Sequence, residues 1–433
     1  MKKLLALLLA LVLALALVAC GGNDQSGNGG STDGNTGSGQ SDAQDPSDNQ
    51  GGDSQASDGG QTDNQGGAAA IKVGGVGPLT GGAAIYGNAA KNGATIAAEE
   101  INAMGGLQID LRYEDDAHDP EKSVNAYNTL KDWGMQAFLG SVTSGPGAAT
   151  SVEANADHMF YLTPSASSTD VLGGVANPLT GSVDIERKDT VFQMCFVDPN
   201  QGSASAQYIS DKSLGSKIAV IYKNDDIYST GVYNSFSSKA AELGLNIVST
   251  TTFTTDSQTD FSVQLNDAKA NDADLVFLPM YYDAAALIFT QADSMGYAPK
   301  WFGIDGMDGI LGVEGFNTAL AEGVMLLTPF NADSNDAKTA GFVSKYQDKY
   351  GEIPNQFAAD GYDCVYAIYE ALKDEAVDAD TSASDLCDIL IGKFTSMSFD
   401  GITGEGMTWG NDGAVSKTPK GMYIENGAYV GMD

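Results

Sequence analysis

Two histidines and four cysteines among 433 residues leave this chain short of the side chains that most metal centres and thiol chemistries use. Cys20, Cys195, Cys364 and Cys387 follow no metal-ligand spacing, so neither a metal nor a cofactor is expected. Cys364 and Cys387 fall in successive helical patterns and could pair if those helices are neighbours; buried free thiols are the alternative. Basic residues are scarce as well: 22 Lys and Arg stand against 57 Asp and Glu, a formal charge of −35, of which −29 belongs to residue 69 onward. So acidic a body repels nucleic acid and anionic lipid. The folded part also lacks a G-x-S-x-G elbow and an H-E-x-x-H pair, and its two imidazoles, His118 and His158, sit in a loop and at a helix end. An enzyme is therefore not expected.

Long apolar runs are confined to the start of the chain. Lys2 and Lys3 precede an apolar stretch from Leu4 to Ala19, shorter than the about 20 residues a membrane span needs, which reads as a signal peptide over 1–19. Leu17-Val18-Ala19-Cys20 resembles the lipobox of bacterial lipoproteins, implying a lipidated Cys20. Residues 21–68 are almost all Gly, Ser, Asp, Asn, Gln and Thr, too polar to bury a core, so 20–68 is expected to be a disordered tether behind a lipid anchor. These features place the protein outside the cell membrane, on its extracellular or periplasmic side.

From residue 69 the chain has the length of two ordinary domains. Ten β-type runs, from AIKVGGVGP (70–78) to GVMLLTPF (323–330), alternate with helical patterns such as 89–106, 360–375 and 382–394. Strand following helix following strand means parallel sheets covered on both faces. Ten strands are too many for one sheet, and a break precedes DPNQGSASA. The expected architecture is α/β, two doubly wound lobes with a cleft: 70–195 with 330–407, and 196–329 with 408–433.

Ligands of such sheets bind beyond the carboxyl ends of the strands. VTSGPGAATS (142–151) ends a strand and opens a helix, where free N–H groups and the helix dipole favour an anion, and Ser144 adds a hydroxyl. MFYLTPSASS (159–168) repeats the layout one strand later with Ser165, Ser167 and Ser168. Two such turns could grip one carboxylate, or the serines could merely cap helices. Asp305, flanked by glycine in KWFGIDGMDG, could hold an ammonium group or make a turn. Tyr86, Tyr228, Tyr281, Tyr282 and Phe357 stand at positions read as loops, where an aromatic face suits a cleft.

Taken in order, IKVGGVGPLTGGAAIYGN, YEDDAHDPEKS, VTSGPGAATS, YLTPSASS, KNDDIYSTG and SFDGITGEGMTWGNDG resemble the leucine/isoleucine/valine-binding family of extracellular solute-binding proteins that feed ABC transporters. The resemblance covers 70–433 and implies a flytrap of two lobes joined by three crossovers, the type I periplasmic-binding-protein architecture. It implies that Ser144 and the turn of Ser165, Ala166 and Ser167 receive an amino-acid carboxylate. Asp305 would take the α-ammonium, and Tyr86, Tyr228, Tyr281 and Phe357 would close around the ligand. Some members join two of these turns by a disulfide; His118 and Thr143 stand at those places here, so Val142 and Thr143 could instead shape the side-chain pocket and Asp360 could add an acidic wall. The implied partners are an amino acid, branched-chain or related, and an ABC permease, with a monomeric protein held at the membrane by its lipid. Amides, urea or a polar amino acid as ligand, or a sensory receptor on the same fold, are the alternatives.

Overall fold

The computed structural model describes residues 70–176 and 181–432. The signal peptide, Cys20 and the tether lie outside the described residues.

Two sheets form. The first holds β1 (Ala70–Gly77), β2 (Gln108–Asp115), β3 (Ala137–Leu139), β4 (Tyr161–Thr163) and β5 (Val191–Gln193) in the order β2-β1-β3-β4-β5, every pair parallel. In the second, β6 (Ile218–Lys223), β7 (Ile247–Phe253), β8 (Leu275–Phe277), β9 (Lys300–Phe302) and β10 (Met325–Thr328) are joined by β11 (Lys420–Glu425) and β12 (Ala428–Gly431), in the order β12-β11-β10-β9-β8-β6-β7. The central strands β3, β4 and β8 and the edge strand β5 are buried along their whole length, as strands covered on both faces must be. β11 and β12 pair antiparallel around Asn426 and Gly427, both at positive φ (53° and 71°), an addition to the ten strands expected.

The helices are α1 (Ala84–Met104), α2 (Pro120–Trp133), α3 (Ser144–Ala156), the single turn α4 (Thr169–Leu172), α5 (Asp198–Asp211), α6 (Ile227–Leu243), α7 (Ser262–Ala270), α8 (Tyr282–Ser294), α9 (Ala337–Tyr350), α10 (Gln356–Leu372) and α11 (Ala383–Phe394). The amphipathic α10 packs on α1 at a crossing only glycine permits: a Cβ on Gly93 would stand 1.8 Å from the Ala358 carbonyl oxygen, and one on Gly361 2.2 Å from that of Ala90. Cys364 on α10 and Cys387 on α11 share one apolar cluster and, like Cys195, are buried free thiols.

The chain passes between the sheets three times: from β5 to α5, from β10 to α9, and before β11. On the last passage Trp409 donates its indole N–H to the Gln193 carbonyl (2.8 Å) and Gln193 N–H donates to Gly413 (3.0 Å), which keeps this segment on the first sheet. Val415 pairs in turn with Trp409. One apolar cluster bridges the two halves, with Tyr86, Val142 and Phe357 from one side meeting Met280, Tyr282 and Met307 from the other.

Candidate functional site

The sheets' strand ends face each other across the cleft. On the first-sheet side β3 runs through Gly140–Thr143 into α3, with Thr143 extended (φ −109°, ψ 151°) and Ser144 the first helical residue, so the leading N–H groups of α3 point outward. After β4, Thr163 Oγ1 accepts the N–H groups of Ser165 (3.2 Å) and Ala166 (2.9 Å), and Ser168 N–H donates to Ser144 Oγ (3.2 Å), tying the two turns together. The turn of 165–167 is thus less open than expected. Ala166 is buried, its carbonyl takes the Gln193 amide (2.6 Å), and it borders no space in the cleft; Ser165 and Ser167 do.

On the opposite side Asp305 opens a short turn after β9. Its Oδ1 accepts the Tyr228 hydroxyl and the Gly306 N–H (2.7 Å), and its Oδ2 accepts the Gln201 amide (2.9 Å). Burial pushes the Asp305 carboxyl up to about 6, against the pull of these three donors. Asp198, the first residue of α5, was missed in the sequence. Its N–H donates to the Ser167 carbonyl (3.0 Å) and its Oδ2 lies against Gly231, one turn beyond Tyr228. It is 1% exposed, and neither carboxylate oxygen has a hydrogen-bond partner. Burial raises its pKa, and the nearby Asp305 adds to the rise. The signal available in the sequence was an Asp-Pro beginning a helix right after a strand end.

The aromatic residues expected on loops lie instead on the first turns of helices: Tyr86 in α1, Tyr228 in α6, Phe357 in α10, with Tyr281 just ahead of α8. The helices begin earlier than their apolar spacing suggests because Asp226 and Asn355 cap α6 and α10, accepting from Ser229 N–H (2.8 Å) and Ala358 N–H (3.2 Å). Tyr281 stacks on Tyr228 (ring centroids 4.9 Å apart), and Tyr86 meets Phe357 edge-on (4.5 Å).

Tyr86, Val142, Thr143, Ser144, Ser165, Ser167, Tyr228, Tyr281, Asp305 and Phe357 close on a void of about 10 Å3. At most one water fits such a space, for which ~10–15 Å3 is needed, so a larger solute enters only when the walls part. Outside it, sharing Tyr86 and Tyr281, opens a chamber of about 540 Å3 lined by both halves of the molecule. His118 stands at that mouth: its Nδ1 meets Thr143 Oγ1 at 2.9 Å, its ring abuts Tyr281, and burial lowers its pKa. His158 is remote and pairs with Asp388 (2.8 Å). Asp360 does not line the void; it forms a buried ion pair with Lys417 (2.7 Å), which corrects the expectation of an acidic pocket wall. Among the described residues no cluster of His, Cys, Asp and Glu is arranged to hold a metal, and no helix is long and apolar enough to cross a membrane.

Hydroxyls and helix N–H groups stand on one wall of the void and the buried Asp305 carboxyl on the other. Residues 70–427 match the family model described as periplasmic binding protein. The chain belongs to the periplasmic binding protein family. Its members are binding proteins, not enzymes. Leu/Ile/Val-binding protein homolog 3 of Brucella melitensis is 27% identical over 228 residues, 52% of this chain and 58% of its own length. The chain thus spans under two thirds of that relative. The substrate-binding protein LivJ of Streptococcus pneumoniae, solved with isoleucine, superposes with a TM-score of 0.71 at 28% identity, covering 83% of this chain and 97% of LivJ. A solute-binding protein of R. palustris solved with benzoate has the same TM-score at 18% identity, over 84% and 95% of the two chains, and shows the shared fold alone.

Proposed function

We propose that this periplasmic binding protein captures an amino acid between its two sheets and hands it to the permease of an ABC transporter. The observation that carries the reading is the polarity of the cleft: Ser144, Ser165 and Ser167 with the N-terminus of α3 face Asp305 across one small void. A carboxylate suits the first wall and an ammonium the second. A benzoate-like ligand has no cation to offer Asp305, so the pneumococcal isoleucine complex is the better guide than the benzoate one. Tyr86, Tyr228, Tyr281 and Phe357 enclose the ligand, and Val142 and Thr143 border its side chain. The lobes are the two sheets with their helices, the hinge is the three passages between them, and Cys20 with the tether holds the protein as a monomeric, exported lipoprotein at the membrane.

The test is a thermal-shift screen of the protein against the standard amino acids, small amides, urea and benzoate. A ligand at about 100 times its Kd stabilises by roughly 2.7 kcal/mol, a shift of several degrees. A shift with one or a few amino acids is the expected result. Shifts confined to amides, urea or benzoate, or no shift at all, would overturn the reading.

A further inference from the structure

The turn that carries Asp305 is gripped from across the cleft. Tyr86, on α1, donates its hydroxyl to the Gly306 carbonyl (2.6 Å). Gln356, the first residue of α10, makes two more bonds: its amide donates to the Asp305 carbonyl (2.9 Å), and its backbone N–H donates to Asp308 Oδ2 (2.9 Å). Gln356 and Asp308 are 2% and 4% exposed, and neither borders the void. The N–H of Gln356 is one of the leading groups of α10 that no helical partner satisfies, and a carboxylate facing that helix end is favoured. Asn355 caps a different group, Ala358 N–H, which leaves the Gln356 N–H for Asp308. α10 itself is fixed on α1 by the Gly93 and Gly361 crossing, so Gln356 cannot follow the turn if the sheets separate. The Asp305 carboxylate, by contrast, is held by Tyr228 and Gln201, which belong to helices of the second half.

We propose that Gln356 is a positioning residue for ligand binding: it clamps the 305–308 turn to the first lobe and so favours the closed form, in which the Asp305 carboxylate faces the opposite wall. This rests on the reading of the cleft as an amino-acid site. Gln356 acts on the main chain of the turn and on Asp308, and the lobes stay together with it. Loss of the clamp weakens closure and lets ligand escape, while the open protein meets ligand as before.

The test uses the full chain carrying Cys20→Ser, with spin labels at Glu121→Cys and Asp256→Cys, exposed neighbours of Pro120 and Thr255 on the two walls of the cleft mouth. The three other cysteines are buried. Interlobe distances are measured without ligand, and release of a radiolabelled mixture of the standard amino acids is followed after dilution. Gln356→Ala is expected to shift the ligand-free distances toward longer values and to raise the release rate about tenfold, ~1.4 kcal/mol, with the association rate within about twofold of wild type. Gln356→Glu keeps the volume and backbone N–H but turns an acceptor toward the Asp305 carbonyl, and is expected to open the protein further; it serves if the alanine variant does not fold. Distances in the folded variant that superimpose on wild type would overturn the clamp. If wild type retains no amino acid, the proposed function falls, and the clamp is judged on the ligand-free distances alone.

Discussion

Replacing Asp305 by asparagine separates binding from folding. In the free protein the buried carboxyl titrates at about 6 rather than at the ordinary 3.8. A carboxyl whose pKa is raised on folding adds stability at low pH that is lost as pH climbs through 6; at neutral pH its ionisation costs about 3 kcal/mol, at ~1.36 kcal/mol per unit. The asparagine side chain removes that cost and keeps the shape. Its oxygen can accept from the Tyr228 hydroxyl and the Gly306 N–H as Oδ1 does now. Its amide would face the Gln201 amide, but Gln201 Oε1 has no partner, so a flip of Gln201 restores a hydrogen bond. The ligand-free Asp305→Asn protein should therefore match or exceed wild type in Tm at pH 7. Binding should suffer, because an ammonium buried without its counter-charge costs ~3–5 kcal/mol, roughly a hundred- to several-thousandfold in Kd. Calorimetry with the amino acid identified by the screen, together with thermal melts, reads both quantities. A Kd within threefold of wild type would refute the ammonium role; a large fall in Tm alongside lost binding would show that Asp305 serves the fold.

Two further outcomes follow from buried charge. Affinity for an amino acid should fall as pH drops below about 6, by up to roughly tenfold per unit, because ligand-free Asp305 takes up a proton that the bound ammonium must displace; calorimetry between pH 5 and 8 in matched buffers checks this, and a flat profile would contradict it. Lys417 and Asp360 form an ion pair with side chains 0% and 2% exposed. Lys417→Met should lower stability by ~3–5 kcal/mol in denaturant melts, and adding Asp360→Leu should restore most of it, since removal of both charges leaves none stranded; a double variant no better than the single one would contradict this account.

The alternation of apolar strands and helical patterns made the two-sheet α/β fold legible, because a strand covered on both faces is apolar throughout and says so locally. The β11–β12 hairpin was equally local, in Asn426-Gly427, but it follows a long stretch of loops and went unread. Residues at strand ends, such as Ser144, Ser167 and Asp305, could be placed because the fold dictates where strand ends face. Asp198, Gln201 and Gln356 could not: each owes its place to the chain's crossing from one sheet to the other, which fixes neighbours more than a hundred residues apart for Gln201 and Asp305. Ala166 and Asp360 stand off the void. Each stands next to residues of the cleft in sequence, but the periodicity of turn and helix carries it away, Ala166 onto Gln193 and Asp360 onto Lys417.

The balance of charge behind the cleft bears on the ligand. Asp198, Asp305, Asp308 and Asp360 are each at most 4% exposed. Lys417 neutralises Asp360, and among the described residues no basic side chain pairs with the other three. Burial raises the pKa of Asp198, Asp305 and Asp308 alike, so the empty site sheds charge by taking up protons. A ligand with an ammonium group reverses this, drawing protons off and binding better as pH rises through the Asp305 pKa. A neutral amide or urea offers only weaker dipoles, and can accept from an acid that stays protonated, so its binding should strengthen as pH falls. The two chemistries thus give opposite slopes of affinity against pH, and the sign of that slope identifies which kind of solute the Asp305 carboxyl is built to meet.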